Sequence, residues 1–283
     1  MTLIREIRRT RWSLNGYRAV HDRGYPIVRA ADLSVRYESG FALERVSFEV
    51  IKGERLAVVG PNGAGKSTLF KVIAGILPPT SGRVEIYGGA PGEHICVAYL
   101  PQRSMVDWRF PVTVYDVVMM GRVGRIGLLR RPRREDHQKV RQALERVGLS
   151  DLATRQIAQL SGGQQQRMFL AQALAQEAEL MLLDEPFTGL DLPSQNELLD
   201  LLVRLQREEI TLMVSLHDLN LAAQHFPRIL LLNRSLIALG SPQEVLNTRT
   251  LLAAYGGYLH VLNEPTGNLV LGDTCCEGRG FDA

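Results

Sequence analysis

Apolar and polar positions begin to alternate at residue 27. Ile27-Val28-Arg29-Ala30 and Leu33-Ser34-Val35-Arg36 carry the two-residue period of a strand, closed by a turn at Ser39-Gly40. Residues 46–50 and 55–59 read as two more strands, separated by Lys52-Gly53. The period then lengthens. Residues 66–75 predict a helix that ends before Pro78-Pro79, and residues 83–87 and 95–100 return to short strands. From 111 to about 176 the pattern is helical, with a Gly/Arg-rich interruption at 121–134. Beyond Gln176 strand and helix alternate again: strand at 180–183, helix after Pro193, strand at 211–215, helix from Asp218, strand at 229–232. Such alternation predicts a three-layer α/β core with a helical insert in its middle. The ends lack this order. Residues 1–26 form an Arg-rich extension with no clean period, and 264–283 are Gly-rich and polar, the composition of a flexible tail.

Composition narrows the partners. The formal charge of +3 is too small to imply a nucleic-acid surface, and no nucleic-acid partner is expected. The sequence holds no apolar run of the roughly 18 residues that a spanning helix needs, and its start lacks the apolar core of a secretory signal. The three cysteines, Cys96, Cys275 and Cys276, are too sparse for a disulfide framework and read as reduced thiols of a cytosolic protein. The six histidines are scattered, without the spacing of a metal centre. The arginines at 122, 125, 130, 131, 133 and 134 read as a solvated face, with anionic lipid as the alternative contact.

Three strings carry chemistry. Gly60-Pro61-Asn62-Gly63-Ala64-Gly65-Lys66-Ser67-Thr68 fits the phosphate-binding P-loop, with an apolar strand entering it and a helix leaving it. Glycines let successive backbone N–H groups curl around phosphate oxygens, and the helix N-terminus adds positive charge. Lys66 would hold the β- and γ-phosphates, and Ser67 would ligate Mg²⁺. Leu180-Met181-Leu182-Leu183-Asp184-Glu185 is a buried strand ending in two carboxylates. Asp184 suits Mg²⁺ and Glu185, pointing another way, suits a general base. Leu160-Ser161-Gly162-Gly163-Gln164 opens a helix; Ser161 alone reads as an N-cap, which leaves the rest of the string unexplained.

Together these strings resemble the nucleotide-binding subunits of ABC (ATP-binding cassette) transporters over about residues 27–260, which implies an ATP-binding domain at 27–263. The resemblance implies a P-loop NTPase core of ABC type, with an antiparallel β subdomain and a helical insert subdomain at about 103–176. It implies ATP and Mg²⁺ as cofactors and ATP hydrolysis as the activity. Tyr37 matches the aromatic that stacks on adenine, and Gly60 to Thr68 match the Walker A loop. Gln102 matches the Q-loop glutamine that senses Mg²⁺ and water; His217, in Ser215-Leu216-His217-Asp218, matches the switch histidine at the γ-phosphate. Lys66, Gln102, Glu185 and His217 are then the catalytic set, with Ser67, Gln102 and Asp184 around Mg²⁺. Ser161, Gly162, Gly163 and Gln164 match the family signature, and Asp191 the D-loop. A head-to-tail homodimer is implied, in which signature and P-loop of opposite chains cover each ATP.

After Gln102, residues 104–114 and 117–122 resemble the manganese/zinc/iron subgroup of ABC importers. That resemblance implies integral membrane permease subunits as partners and, indirectly, an extracytoplasmic metal-binding protein. The place implied is peripheral, on the cytoplasmic face of the cell membrane, and the cargo is manganese first, then zinc or iron. The alternatives are an importer of iron chelates, haem or cobalamin, an exporter, and last a cassette ATPase outside transport.

Overall fold

The computed structural model describes residues 26–92, 96–127 and 130–256, and the backbone of Val261–Asn263 and Leu269–Leu271. Strands β1 (Val28–Tyr37) and β2 (Gly40–Val50) form an antiparallel hairpin. Glu44 and Arg45 are both exposed, with Arg45 at φ 46°, and break the alternation of β2, which is why the sequence pattern showed it only from residue 46. β3 (Arg55–Val59) runs into helix α1 (Lys66–Ile73), and β4 (Ser81–Ile86) returns to pair antiparallel with β1. Here is the antiparallel β subdomain. The larger sheet has β5 (Val97–Leu100) at one edge, followed by β6 (Leu180–Asp184), β7 (Thr211–Leu216), β3 and β8 (Arg228–Asn233), all parallel. β9 (Ser235–Gly240) closes the other edge antiparallel to β8. Every residue of β9 is half-buried, so it shows no alternation and the sequence pattern missed it.

The central strands are buried on both faces, so they read as continuous apolar runs rather than alternating ones. Their pleat still sorts side chains between two cores. Leu56, Val58, Leu180 and Leu182 pack toward α1 and the hairpin; Ala57, Val59, Met181 and Leu183 pack toward the helices of the insert. The insert comprises α2 (Val114–Met120), α3 (Val123–Ile126), α4 (Arg134–Arg146) and α5 (Gly162–Ala175). Helices α6 (Leu192–Arg207), α7 (Leu219–His225), α8 (Pro242–Val245) and α9 (Thr248–Tyr255) complete the layer and the C-terminal side. No helix among the described residues is long and apolar enough to cross a membrane. The N-terminal extension up to residue 25, with Cys275 and Cys276, lies outside the described residues; β10 (Val261–Asn263) and β11 (Leu269–Leu271) pair as a hairpin that straddles the expected tail boundary.

Arg122 departs from its expected place on a solvated face. Its side chain is 5% exposed, and its guanidinium donates to Asp136 Oδ1 (3.0 Å), Ala175 O (2.8 Å) and Glu177 Oε2 (2.8 Å). Lys139 Nζ reaches Glu177 Oε1 at 2.8 Å. The network ties α2, α4 and the end of α5 together, and Gly121 lets them approach: a Cβ there would lie 2.3 Å from Gln172 O. Arg130, Arg131, Arg133 and Arg134 are exposed, as the pattern predicts.

Burial alone would push the Asp136 carboxyl up. The Arg133 N–H and the Arg122 guanidinium outweigh burial and hold it below the usual carboxylate range. Glu177 is lowered in the same way, burial being outweighed by Lys139 and Arg122. Folded values below the unfolded ones mean that the network's contribution is complete above about pH 5 and fades as pH falls through the lowered values. Removing the buried cation leaves the buried Asp136 carboxylate and Ala175 O without its donors, while Glu177 keeps Lys139. Arg122→Ala should therefore destabilise the fold by about 3–5 kcal/mol at pH 7, measured by denaturant unfolding, and by less at pH 3.

Candidate nucleotide site

Parallel register places the chemical residues at one edge. Val59 pairs with Leu216 and Leu231, Asp184 with Ser215, and Leu100 with Leu183. The loop 60–65, Glu185, His217 and Gln102 therefore all leave the sheet at its C-terminal edge, where open α/β sheets hold ligands.

The loop is clamped on both sides. Gly60 sits at φ 154°, and a Cβ there would lie 2.0 Å from Leu232 O; at Gly65, φ 97°, it would lie 2.3 Å from Ala42 O. Neither position has room for a side chain. Arg234 N donates to Ala64 O (2.9 Å), and Glu44 N donates to Arg234 O (2.8 Å), so β2 and the β8–β9 turn brace the loop. Lys66 opens α1 and is buried; its ammonium donates to Gly60 O (2.7 Å) and Pro61 O (3.1 Å). Burial lowers its pKa, and the charges of Glu185 and Asp184 pull the other way. Ser67 and Thr68 fill the first turn, half-exposed, while Asn62 and Gly63 face solvent.

Asp184 is buried and gripped from two neighbouring strands. Ser215 Oγ donates to Oδ1 at 2.6 Å, and Tyr99 Oη donates to Oδ2 at 3.3 Å. Burial, then the Asp184 charge, pushes the Tyr99 hydroxyl far up, so it stays a donor. Ser215 Oγ also accepts from Glu185 N at 2.8 Å. Glu185 stands in the left-handed region at φ 51°, rare for a glutamate, which turns its carboxylate away from Asp184 and onto His217 Nε2. Two adjacent carboxylates thus have different surroundings: one buried and fixed, one half-buried beside an exposed imidazole. The clamp by Ser215 and Tyr99 is the part that reading the sequence missed. Its signal is the strand alignment itself, since Ser215 is the register partner of Asp184.

Gln102 follows β5 and precedes the 3₁₀ turn Arg103–Met105, half-exposed at the same edge. Tyr37 ends β1 opposite Gly40, two residues before the Ala42 that braces Gly65, and is 45% exposed. Ser161 caps α5 in a capping box: its Oγ accepts from Gln164 N (3.3 Å), and Gln164 Oε1 accepts from Ser161 N (2.9 Å). The cap thus accounts for Gln164 as well. Gly163 has a steric reason of its own, and Gly162 packs against the movable ends of Arg103 and Leu190. A Cβ at Gly162 would lie 3.0 Å from Arg103 Nη1, and one at Gly163 would lie 2.9 Å from Ser194 Cβ. Asp191 caps α6 by accepting from Ser194 N at 3.1 Å, and the Ser194 bonds hold its carboxyl low. Among the described residues, no hydrogen bond joins the signature string to the loop of Lys66 within this chain.

A glycine-braced loop with a buried lysine, beside a strand ending in two differently held carboxylates, defines a P-loop nucleotide hydrolase. The ABC transporter family profile matches residues 43–188. The manganese transport system ATP-binding protein MntB of Bacillus subtilis (strain 168) is 44% identical, over 84% of this chain and 95% of its own length. The zinc transport system ATP-binding protein TroB of Treponema pallidum (strain Nichols) is 44% identical, over 85% of this chain and 91% of its own. Among solved structures, an ABC transporter of metal-chelate type in an inward-facing conformation superposes with TM-score 0.74 at 32% identity, over 82% of this chain and 89% of that one. An ATP-binding cassette solved in its ADP conformation gives TM-score 0.73 at 25% identity, over 82% of this chain and 99% of that one. The chain belongs to the ABC transporter family; it is an ATP-binding subunit and an ATPase of that family. The fold is the one the sequence predicts.

Ser215 is the most economical test of the clamp. Ser215→Ala frees Asp184 Oδ1 and leaves Glu185 N unpaired. Steady-state assays should show hydrolysis slowed about tenfold or more with nucleotide affinity retained, and unfolding should show a loss of about 1–3 kcal/mol.

Proposed function

We propose that this chain is the ATP-hydrolysing subunit of an importer for divalent metal ions, manganese first and zinc or iron next. The observation that carries the chemistry is the meeting of Lys66, Asp184, Glu185 and His217 at one sheet edge. The cargo rests on the relatives, which are named for manganese and zinc transport and, at 44% identity in Yersinia pestis, for chelated iron.

In this reading residues 27–263 form the ATP-binding domain, with the helical subdomain at about 103–176. Gly60 to Thr68 wrap the phosphates, and Lys66 turns its ammonium from loop carbonyls to phosphate oxygens. Tyr37 stacks on adenine from the hairpin end. Asp184, the Ser67 hydroxyl and the Gln102 carbonyl offer only oxygen donors, the set that Mg²⁺ prefers, so the residues fit this ion. Mg²⁺ would supply charge neutralisation at the phosphates. Glu185 takes a proton from the attacking water, and His217, hydrogen-bonded to it, fixes the carboxylate's direction. Ser161, Gly162, Gly163, Gln164 and Asp191 serve the nucleotide held by a second copy, a reading supported by the lack of any hydrogen bond between signature and P-loop among the described residues. The homodimer sits on the cytoplasmic face of the membrane under two permease subunits, with an extracytoplasmic metal-binding protein beyond them. Exposed Met105 and Phe110, in the stretch that follows Gln102, suit the permease contact.

Glu185→Gln keeps the shape and removes the base. Hydrolysis should fall by about 10²–10⁴-fold with ATP still bound. Cells carrying this variant should show a selective fall in manganese, zinc or iron content against wild type. Unchanged contents of all three metals, with wild-type hydrolysis intact in vitro, would contradict the importer reading.

A further inference from the structure

Arg103, directly after Gln102, belongs to none of the motifs, yet its guanidinium lies among three of them. Nε donates to Gln165 Oε1 at 2.6 Å, a neutral amide rather than a carboxylate. Gln165 is buried one residue past the signature string, and its Nε2 donates back to Leu160 O at 3.3 Å. Nη1 lies 3.0 Å from where a Cβ on Gly162 would sit and 4.0 Å from the same point on Gly189. Leu190 Cδ2 closes the other side of Gly162 at 3.1 Å. One guanidinium therefore spans the exit of β5, the first turn of α5 and the segment that leads to Asp191.

A second contact fixes this segment. Trp108 Nε1 donates to Arg103 O at 3.1 Å, the guanidinium lies 5.9 Å from the indole ring, and the ring meets Phe169 edge-on at 5.7 Å. Gln165 and Phe169 are four residues apart on α5, hence on one face. The stretch from Arg103 to Trp108, which begins directly after Gln102, is thus fastened to α5 at two successive turns. The planar guanidinium donates to Gln165 through Nε and at the same time lies against Gly162 and the Trp108 ring, a shape that an ammonium does not supply.

We propose that Arg103 is a positioning residue that transmits the placement of Gln102 to the signature loop and to Gly189-Leu190. The nucleotide held by a chain's own P-loop then sets the loop which that chain offers to the second nucleotide. The second half rests on the homodimer reading above; the first concerns one chain alone.

Trp108 is a built-in reporter, since the chain's only other tryptophan is Trp12. In the full chain carrying Trp12→Phe, saturating MgATP should change Trp108 emission. Adding Arg103→Ala should abolish that response while binding of labelled ATP stays within about threefold; kcat should fall about tenfold with KM little changed. Gln165→Ala should reproduce both effects, and the double variant should be no worse than either single one, because both cut the same link. A full emission response in Arg103→Ala, or losses that multiply in the double variant, would overturn the proposal. Gln165→Ala keeps the test open if Arg103→Ala fails to fold. Because these readouts use the isolated chain, they succeed or fail apart from metal uptake, which tests the importer reading alone.

Discussion

The ammonium of Lys66 is buried, and the groups that hold it are two carbonyls of the loop that it closes. A buried cation is costly unless it is well surrounded, and the surrounding structure follows from that need. The loop must bend sharply enough to turn its carbonyls inward, which forces glycine at 60 and 65 against the backbones of Leu232 and Ala42. Those backbones belong to β8 and β2, so both sheets must meet at this loop. The carboxylates of Asp184 and Glu185, delivered by β6, supply the opposing charge. Sheet order, loop composition and charge placement are one constraint seen from three sides.

The same economy governs the acidic end. Asp184 and Glu185 are neighbours in sequence, yet one is fixed by Ser215 and Tyr99 and the other turned toward His217 by a left-handed residue. Ser215 serves both through one hydroxyl, so β7 sets the geometry of a site whose carboxylates it does not carry. The helical insert is held as firmly. Its buried charge network around Arg122 makes α2, α4 and α5 one body, and Arg103 fastens that body to the exit of β5.

Much of this was legible in the chain. Residues 60–68 announce a tight strand-to-helix turn, because their glycines stand at the P-loop spacing between an apolar strand and a helix. The run ending at Asp184-Glu185 declares a buried parallel strand by lacking alternation. What stayed hidden depends on register or on tertiary surroundings. Ser215 grips Asp184 only because β6 and β7 align there. Arg122 looks like its neighbours in an arginine-rich stretch, and its burial follows from carboxylates 14 and 55 residues away. The close approach of Gly162 to Arg103 and of Gly163 to Ser194 joins residues that sequence spacing does not bring near.

Calorimetric titration of MgATP into the wild-type chain and into Lys66→Ala tests the central claim most directly, with both first shown to be folded by circular dichroism. The account predicts that the substitution weakens binding by at least about 100-fold, or roughly 2.7 kcal/mol. Equally tight binding by Lys66→Ala would contradict it, because the buried ammonium would then not be what the loop is built to present.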